Sequence, residues 1–237
     1  SRLIRTLKQK APKENGIHRM YWSMNEKGAD RPSRKIRKRT NEPRGVSVKP
    51  GTYNLKMSFG NQTSESSIKV EFDPRLEMST EAITEIYNAS KDMEKDQQLM
   101  ADVVKQLVES KNTATAFKKD LAKEDKKNYK DQIKASKDII TKIDKLIAVY
   151  IGSVDKRQGI TRNPEVTVSR RYSSARRYVG SRFGHLTTTE KQLISQYKKA
   201  LETAINKTNA FFETDWRKYK TTLETIRISP FKEIQKF

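Results

Sequence analysis

Between Ser79 and Ile151 the chain contains neither proline nor glycine, and its apolar residues recur every three or four positions. A run of that length without a helix breaker leaves few alternatives to long amphipathic helices. Ile83, Ile86, Ser90, Met93, Gln97, Met100, Val104 and Leu107 keep the spacing after Ser79, a potential N-cap with Glu81 in the first turn. A second helix is expected to begin near Ala114. Its best stretch holds Tyr129, Ile133, Ser136, Ile140, Ile143, Ile147 and Tyr150, and Gly152 ends it. Thr187-Thr188-Thr189-Glu190 reads as a capping box that opens a third helix. That helix continues through Ile194, Tyr197, Leu201, Ile205, Phe212, Trp216, Tyr219 and Leu223, with Pro230 as its limit. The spacings predict a long antiparallel three-helix bundle over 77–237, crossing at about 20° as in coiled coils.

Ahead of Asp73-Pro74-Arg75 the period is two. Met20, Trp22 and Met24 share one phase. Tyr53, Leu55, Met57 and Phe59 alternate with Asn54, Lys56 and Ser58, and Ile68, Val70 and Phe72 with Lys69 and Glu71. Pro50-Gly51 and Gly60-Asn61 punctuate these runs as turns, so the last two runs predict a hairpin. Leu3–Leu7 is a further candidate strand. One-sided strands without intervening helices predict a small antiparallel sandwich over 1–76, with Trp22 buried opposite Tyr53 or Leu55. The fold class expected is therefore α+β, a sandwich followed by a helical bundle.

Composition narrows the chemistry. The chain has no cysteine, which excludes disulfides, thiolate metal sites and cysteine nucleophiles. His18 and His185 stand far apart without other metal-ligating company. No Gly-x-Ser-x-Gly elbow, phosphate-binding glycine loop or dinucleotide fingerprint occurs. The carboxylates are interspersed with lysines, as in Glu124-Asp125-Lys126-Lys127, and no pair is singled out for glycosidase work. No catalytic, cofactor-binding or metal-binding residue is assigned, and no run is long and apolar enough to span a membrane.

Charge is the other strong signal. Lys and Arg number 50 against 29 Asp and Glu, a net +21. Residues 1–50 hold 15 basic and 4 acidic residues, about half of that excess. Within them Arg31, Arg34, Lys35, Arg37, Lys38 and Arg39 place six cations in nine residues. A second basic stretch, Gly152–Leu186, includes Arg170, Arg171, Arg176 and Arg177 and a candidate short helix at Ser173–Val179. These ten residues are the candidate partner-binding set. They could steer an acidic protein or an anionic lipid or glycan surface. Equally, loops 31–39 and 156–182 could neutralise nucleic-acid phosphates. Neither base-stacking aromatics within 31–39 nor a recognised nucleic-acid-binding signature accompanies them. Asn61-Gln62-Thr63 matches a glycosylation acceptor.

Leu3-Ile4-Arg5-Thr6-Leu7, Gly16-Ile17-His18-Arg19-Met20-Tyr21-Trp22 and Lys49-Pro50-Gly51-Thr52-Tyr53-Asn54-Leu55 together resemble an immunoglobulin-like module of extracytoplasmic bacterial proteins. The order of that module, Asp-Pro-Arg, long helices and Asn209-Ala210-Phe211-Phe212 is similar to the C-terminal region of BNR-repeat, sortilin-like β-propeller proteins. The propeller and its Asp-box motif are absent, and the first strand of such a module would precede Ser1. The resemblance implies the C-terminal piece of a longer extracytoplasmic polypeptide. It further implies a non-catalytic interaction or scaffolding module that docks on the propeller, on another subunit or on a membrane complex. Two alternatives stand beside it. One is a nucleic-acid-binding protein of the cytoplasm or nucleus. The other is part of a glycoside hydrolase whose active site lies in the absent propeller.

Overall fold

The structure, a computed structural model, describes residues 2–36, 38–154 and 165–226. Strands β1 (Asn25–Lys27), β2 (Arg44–Ser47), β3 (Gly51–Phe59) and β4 (Gln62–Val70) come first. Helices α1 (Thr80–Glu124), α2 (Lys130–Ile151), α3 (Val168–Gly180), α4 (Thr188–Phe211) and α5 (Arg217–Glu224) follow, with a π-helical turn, Phe212–Trp216, joining the last two. The chain divides into two compact units. The first comprises Ser1–Arg31, Arg37–Leu99 and Tyr172–Ser195, and the second Pro32–Ile36, Met100–Arg171 and Gln196–Phe237.

In the first unit the strands form two separate antiparallel pairs, β1 with β2 and β3 with β4. The alternation across residues 53–72 does yield a hairpin, turned at Gly60 with φ +57°. It does not yield a sandwich. A sandwich needs two sheets whose apolar faces bury one another. Here β1–β2 is only three to four residues long, and what β1 buries is polar, Asn25 and Glu26. The apolar side of β3–β4 stays exposed. Nor do Leu3–Leu7 and Ile17–Met24 form strands, although the Lys27 N–H donates to the Ile4 carbonyl at 2.8 Å. The immunoglobulin-like sandwich is thus replaced by two small ribbons.

The three-helix expectation also needs correction. Instead of breaking near Ala114, α1 runs unbroken for 45 residues. Ser79 Oγ accepts the Ala82 N–H at its start. Through the polar stretch, the hydroxyls of Thr113 and Thr115 donate to the carbonyls of Glu109 and Lys111 one turn back, within the helix itself. At the far end the Asp125 carboxylate accepts the N–H groups of Lys127 and Asn128, turning the chain into α2. A further helix, α3, occupies what read largely as a loop. It buries Val168, Tyr172, Ala175 and Val179, a stripe at helical spacing set among arginines. Its beginning, at Val168, lies five residues before the short helix predicted at Ser173.

The core of the first unit includes Ala82 and Met93 of α1, with Tyr172, Ala175 and Val179 of α3. Gln97 is buried too, and its amide donates to the carbonyls of Ala29 and Asp30 at 2.9 and 3.1 Å. Thr187 and Glu190 close the expected capping box, the Thr187 N–H reaching Glu190 Oε2 at 2.8 Å. In the second unit Met100, Val104, Leu107 and Leu121 of α1 are buried, as are Ile139, Ile143, Ile147 and Tyr150 of α2. Two buried hydroxyl pairs, Tyr150–Thr208 and Ser136–Tyr219, each 2.9 Å, set α2 antiparallel to the α4–α5 run. Lys111 of α1 reaches both oxygens of Asp144 on α2 at 2.6 and 2.8 Å.

Candidate interaction surface

A two-stranded ribbon has two faces, and the register of β3–β4 sorts them. Tyr53 pairs with Ile68, Leu55 with Ser66, Met57 with Ser64 and Phe59 with Gln62. That face carries no charge. The opposite face pairs Lys56 with Glu65, whose side chains meet at 3.0 Å, and Thr52 with Lys69. Exposure on the uncharged face grows toward the tip: Leu55 is 42% exposed, Met57 60% and Phe59 65%, with Ile68 at 37%. An isolated hairpin is marginal in water, so what holds this one is its base. There the Tyr53 ring meets Trp22 edge-on at 5.6 Å, and its hydroxyl donates to the Lys49 carbonyl at 2.6 Å. Trp22 faces Tyr53 as expected but is half-buried rather than enclosed, with Nε1 donating to the Asn25 carbonyl at 3.0 Å.

The base in turn rests on a buried carboxylate. Glu26 is only 5% exposed. One oxygen accepts the Tyr87 hydroxyl at 2.6 Å and the Arg2 guanidinium at 3.1 Å, and the other faces Lys91 at 3.3 Å. Burial pushes the Glu26 pKa up. The Tyr87 hydrogen bond, the Lys91 charge and hydrogen bond and the Arg2 charge outweigh that, holding it below the ordinary carboxylate value.

The cationic set falls into residues already engaged and residues left open. In the first unit Arg31, Lys38 and Arg39 are exposed, and Arg39 pairs with Asp30 at 3.2 Å. Arg31 and Arg176 both act on Tyr172, whose pKa burial pushes up to about 12 while the two guanidiniums oppose the rise. Arg177 lies over the Tyr178 ring, 5.9 Å from its centroid. In the second unit Arg34 is half-buried and donates to the Gly152 carbonyl, whereas Lys35 is exposed. Arg170 and Arg171 are exposed, with Arg170 reaching the Glu165 carbonyl at 3.5 Å. Arg37 and residues 156–164 of the second basic loop lie outside the described residues.

No protein-family model matches this chain, and no curated protein or solved structure does. The BNR-repeat resemblance therefore stands as an expectation drawn from the sequence, with its immunoglobulin-like sandwich corrected by the fold.

Among the described residues no three His, Asp or Glu side chains gather as a metal site. His18 is exposed against the Glu14 carbonyl, and His185 Nδ1 sits 2.8 Å from Glu85. No described helix is long and apolar enough to cross a membrane. Asn61 occupies the exposed hairpin turn. Alternation shows that Tyr53, Leu55, Met57 and Phe59 share a face, and it places all four in the core. In the fold only Tyr53 is covered, by Trp22, while nothing in the described chain covers Leu55, Met57 and Phe59.

Proposed function

We propose that this chain is a non-catalytic interaction module that docks the uncharged face of β3–β4 on a partner protein. The partner expected is a β-propeller region of a longer extracytoplasmic polypeptide. The observation that supports this reading is the charge-free ribbon face on which Leu55, Met57 and Phe59 of β3 stand open to solvent. Such a patch marks an interaction site on soluble proteins. Burying each of those side chains would contribute roughly 1.5–3 kcal/mol, before the costs of association. The exposed cations Arg31, Lys35 and Lys38 would serve the encounter with an acidic partner, raising the association rate more than they slow dissociation.

The test begins with the natural coding sequence upstream of Ser1. The propeller expected there is co-expressed, and its association with this chain is measured by calorimetry. Leu55→Ser, Met57→Ser and Phe59→Ser together should abolish association while leaving the melting temperature within a few degrees. A start codon immediately before Ser1, or a triple variant that binds like the wild type, overturns the proposal. Titrating salt separates it from the nucleic-acid alternative. Apolar docking survives moderate salt, whereas phosphate neutralisation weakens log-linearly and steeply.

A further inference from the structure

The second unit contains a groove of about 370 Å³ between the end of α2, the start of α3 and the middle of α4. Its lining combines Val149, Val166 and Val168 and the small side chains of Ala200 and Ala204 with the polar Gln196 and Thr203; Val168 and Ala204 are buried, whereas Val149 and Val166 are exposed. Its rim is cationic: Arg171 on α3, with Lys199 and Lys207 on α4, all exposed. Lys199 and Lys207 stand eight residues apart, about 12 Å along the helix axis at ~1.5 Å per residue. None of the three has an ion-pair or side-chain hydrogen-bond partner among the described residues. Among the described residues no carboxylate lines the groove. Other surface lysines do find partners, as Lys142 does with Asp215 and Lys220 with Glu224.

We infer that this groove binds a small anionic amphiphile, a carboxylate or phosphate head on a short aliphatic body. Three cations without a partner among the described residues, set around five aliphatic side chains, complement that chemistry and no simpler one. An inorganic anion would leave the valines and alanines uncovered, and a neutral hydrocarbon would leave the cations unused. The volume sits at the small end of the range for small-molecule sites. Nucleic acid fits poorly, because among the described residues no aromatic side chain lines the groove to stack a base. An extended peptide fits poorly too, because helical walls present no free backbone edge for strand addition. The inference uses none of the β3–β4 residues, so it stands or falls apart from the docking proposal.

Isothermal calorimetry on the full chain tests it. Decanoate below its micelle concentration is the probe, with decanol, inorganic phosphate and vesicles of mixed neutral and anionic phospholipid as comparisons. Decanoate should bind saturably at one site, and decanol and phosphate at least about tenfold more weakly, since a charge-assisted contact and apolar burial each carry part of the affinity. Combining Arg171→Gln, Lys199→Gln and Lys207→Gln should weaken decanoate by about tenfold or more with the melting temperature unchanged, because all three side chains are exposed. Ala200→Phe should block the groove. Phosphate binding as tightly as decanoate would show charge attraction alone. Vesicles bound in the absence of decanoate binding would show a lipid surface rather than a free ligand. Unaffected charge variants would place the ligand elsewhere. Each of those results overturns the inference.

Discussion

Removing the Glu26 carboxylate is the most direct test of how the ribbon base is held. In Glu26→Ala the Tyr87 hydroxyl loses its acceptor at 2.6 Å, and Lys91 keeps only its pairing with Glu94. Arg2 contributes little, since its side chain is 67% exposed and screened by water. A hydrogen bond to a charged group is worth about 1.5–3 kcal/mol. Breaking a buried ion pair from one side costs about 3–5 kcal/mol. The Tyr87 bond and the half-buried Lys91 together place Glu26→Ala at the lower end of that second range, about 3 kcal/mol. Glu26→Gln keeps an acceptor for Tyr87 and should cost about half as much. Urea unfolding reads the loss, and amide exchange in β1 and β2 assigns it to the first unit. The pH dependence carries a sign as well. The folded pKa is lowered, so the stabilisation is complete above the unfolded value near 4.5 and is lost as pH falls through the folded value. Glu26→Gln should flatten that acid limb. A Glu26→Ala variant within about 0.5 kcal/mol of wild type, or an acid limb unchanged in Glu26→Gln, would refute the argument.

Two further outcomes follow from the same unit. A Cβ at Gly45 would stand 2.7 Å from both Glu94 Oε1 and the Lys27 carbonyl and 2.8 Å from the Glu26 carbonyl. Gly45→Ala should therefore destabilise the β1–β2 pair by about 1–3 kcal/mol in urea unfolding. Ultraviolet titration at 295 nm should find a tyrosine that ionises only near pH 12 and is missing in Tyr172→Phe, because burial raises that phenol. A full complement of tyrosines ionising near pH 10 would contradict the enclosure of Tyr172.

What the sequence disclosed was local. The hairpin was legible because alternation and Gly60-Asn61 act within a few residues, and the Thr187–Glu190 box because a cap spans one turn. The sandwich was not, since alternation assigns Leu55 and Phe59 to one face without saying what lies across it. Helix α1 was cut short on paper because Val108–Thr115 is poor in apolar residues. In the fold Lys111 finds Asp144, and the Thr113 and Thr115 hydroxyls turn back on the helix. Arginines on either side of Tyr172 hid the buried stripe of α3. Glu26 gave no signal at all, because a carboxylate inside a short strand reads as solvent-facing until Tyr87 and Lys91, more than sixty residues on, are brought to it. The candidate site shared that fate. Arg171 was singled out for its charge, but Lys199 and Lys207 looked like ordinary helix-surface lysines.

The π turn at Phe212–Trp216 has a consequence for how this helix tolerates length changes. From Tyr197 onward the buried positions of α4 and α5 are Tyr197, Leu201, Ala204, Thr208, Phe211, Tyr219 and Leu223. Their spacings are four, three, four, three, eight and four. In an uninterrupted α-helix, with about 3.6 residues per turn, a step of eight would swing Tyr219 roughly 80° off the seam. The wider turn absorbs one residue, so the step behaves as seven, and Tyr219 returns to face Ser136. The segment therefore has the form of a one-residue insertion confined to a single turn. Deleting a residue within 212–216 should convert α4–α5 into one regular helix with the Ser136–Tyr219 pair intact, whereas the same deletion in the middle of α4 would rotate every buried side chain beyond it.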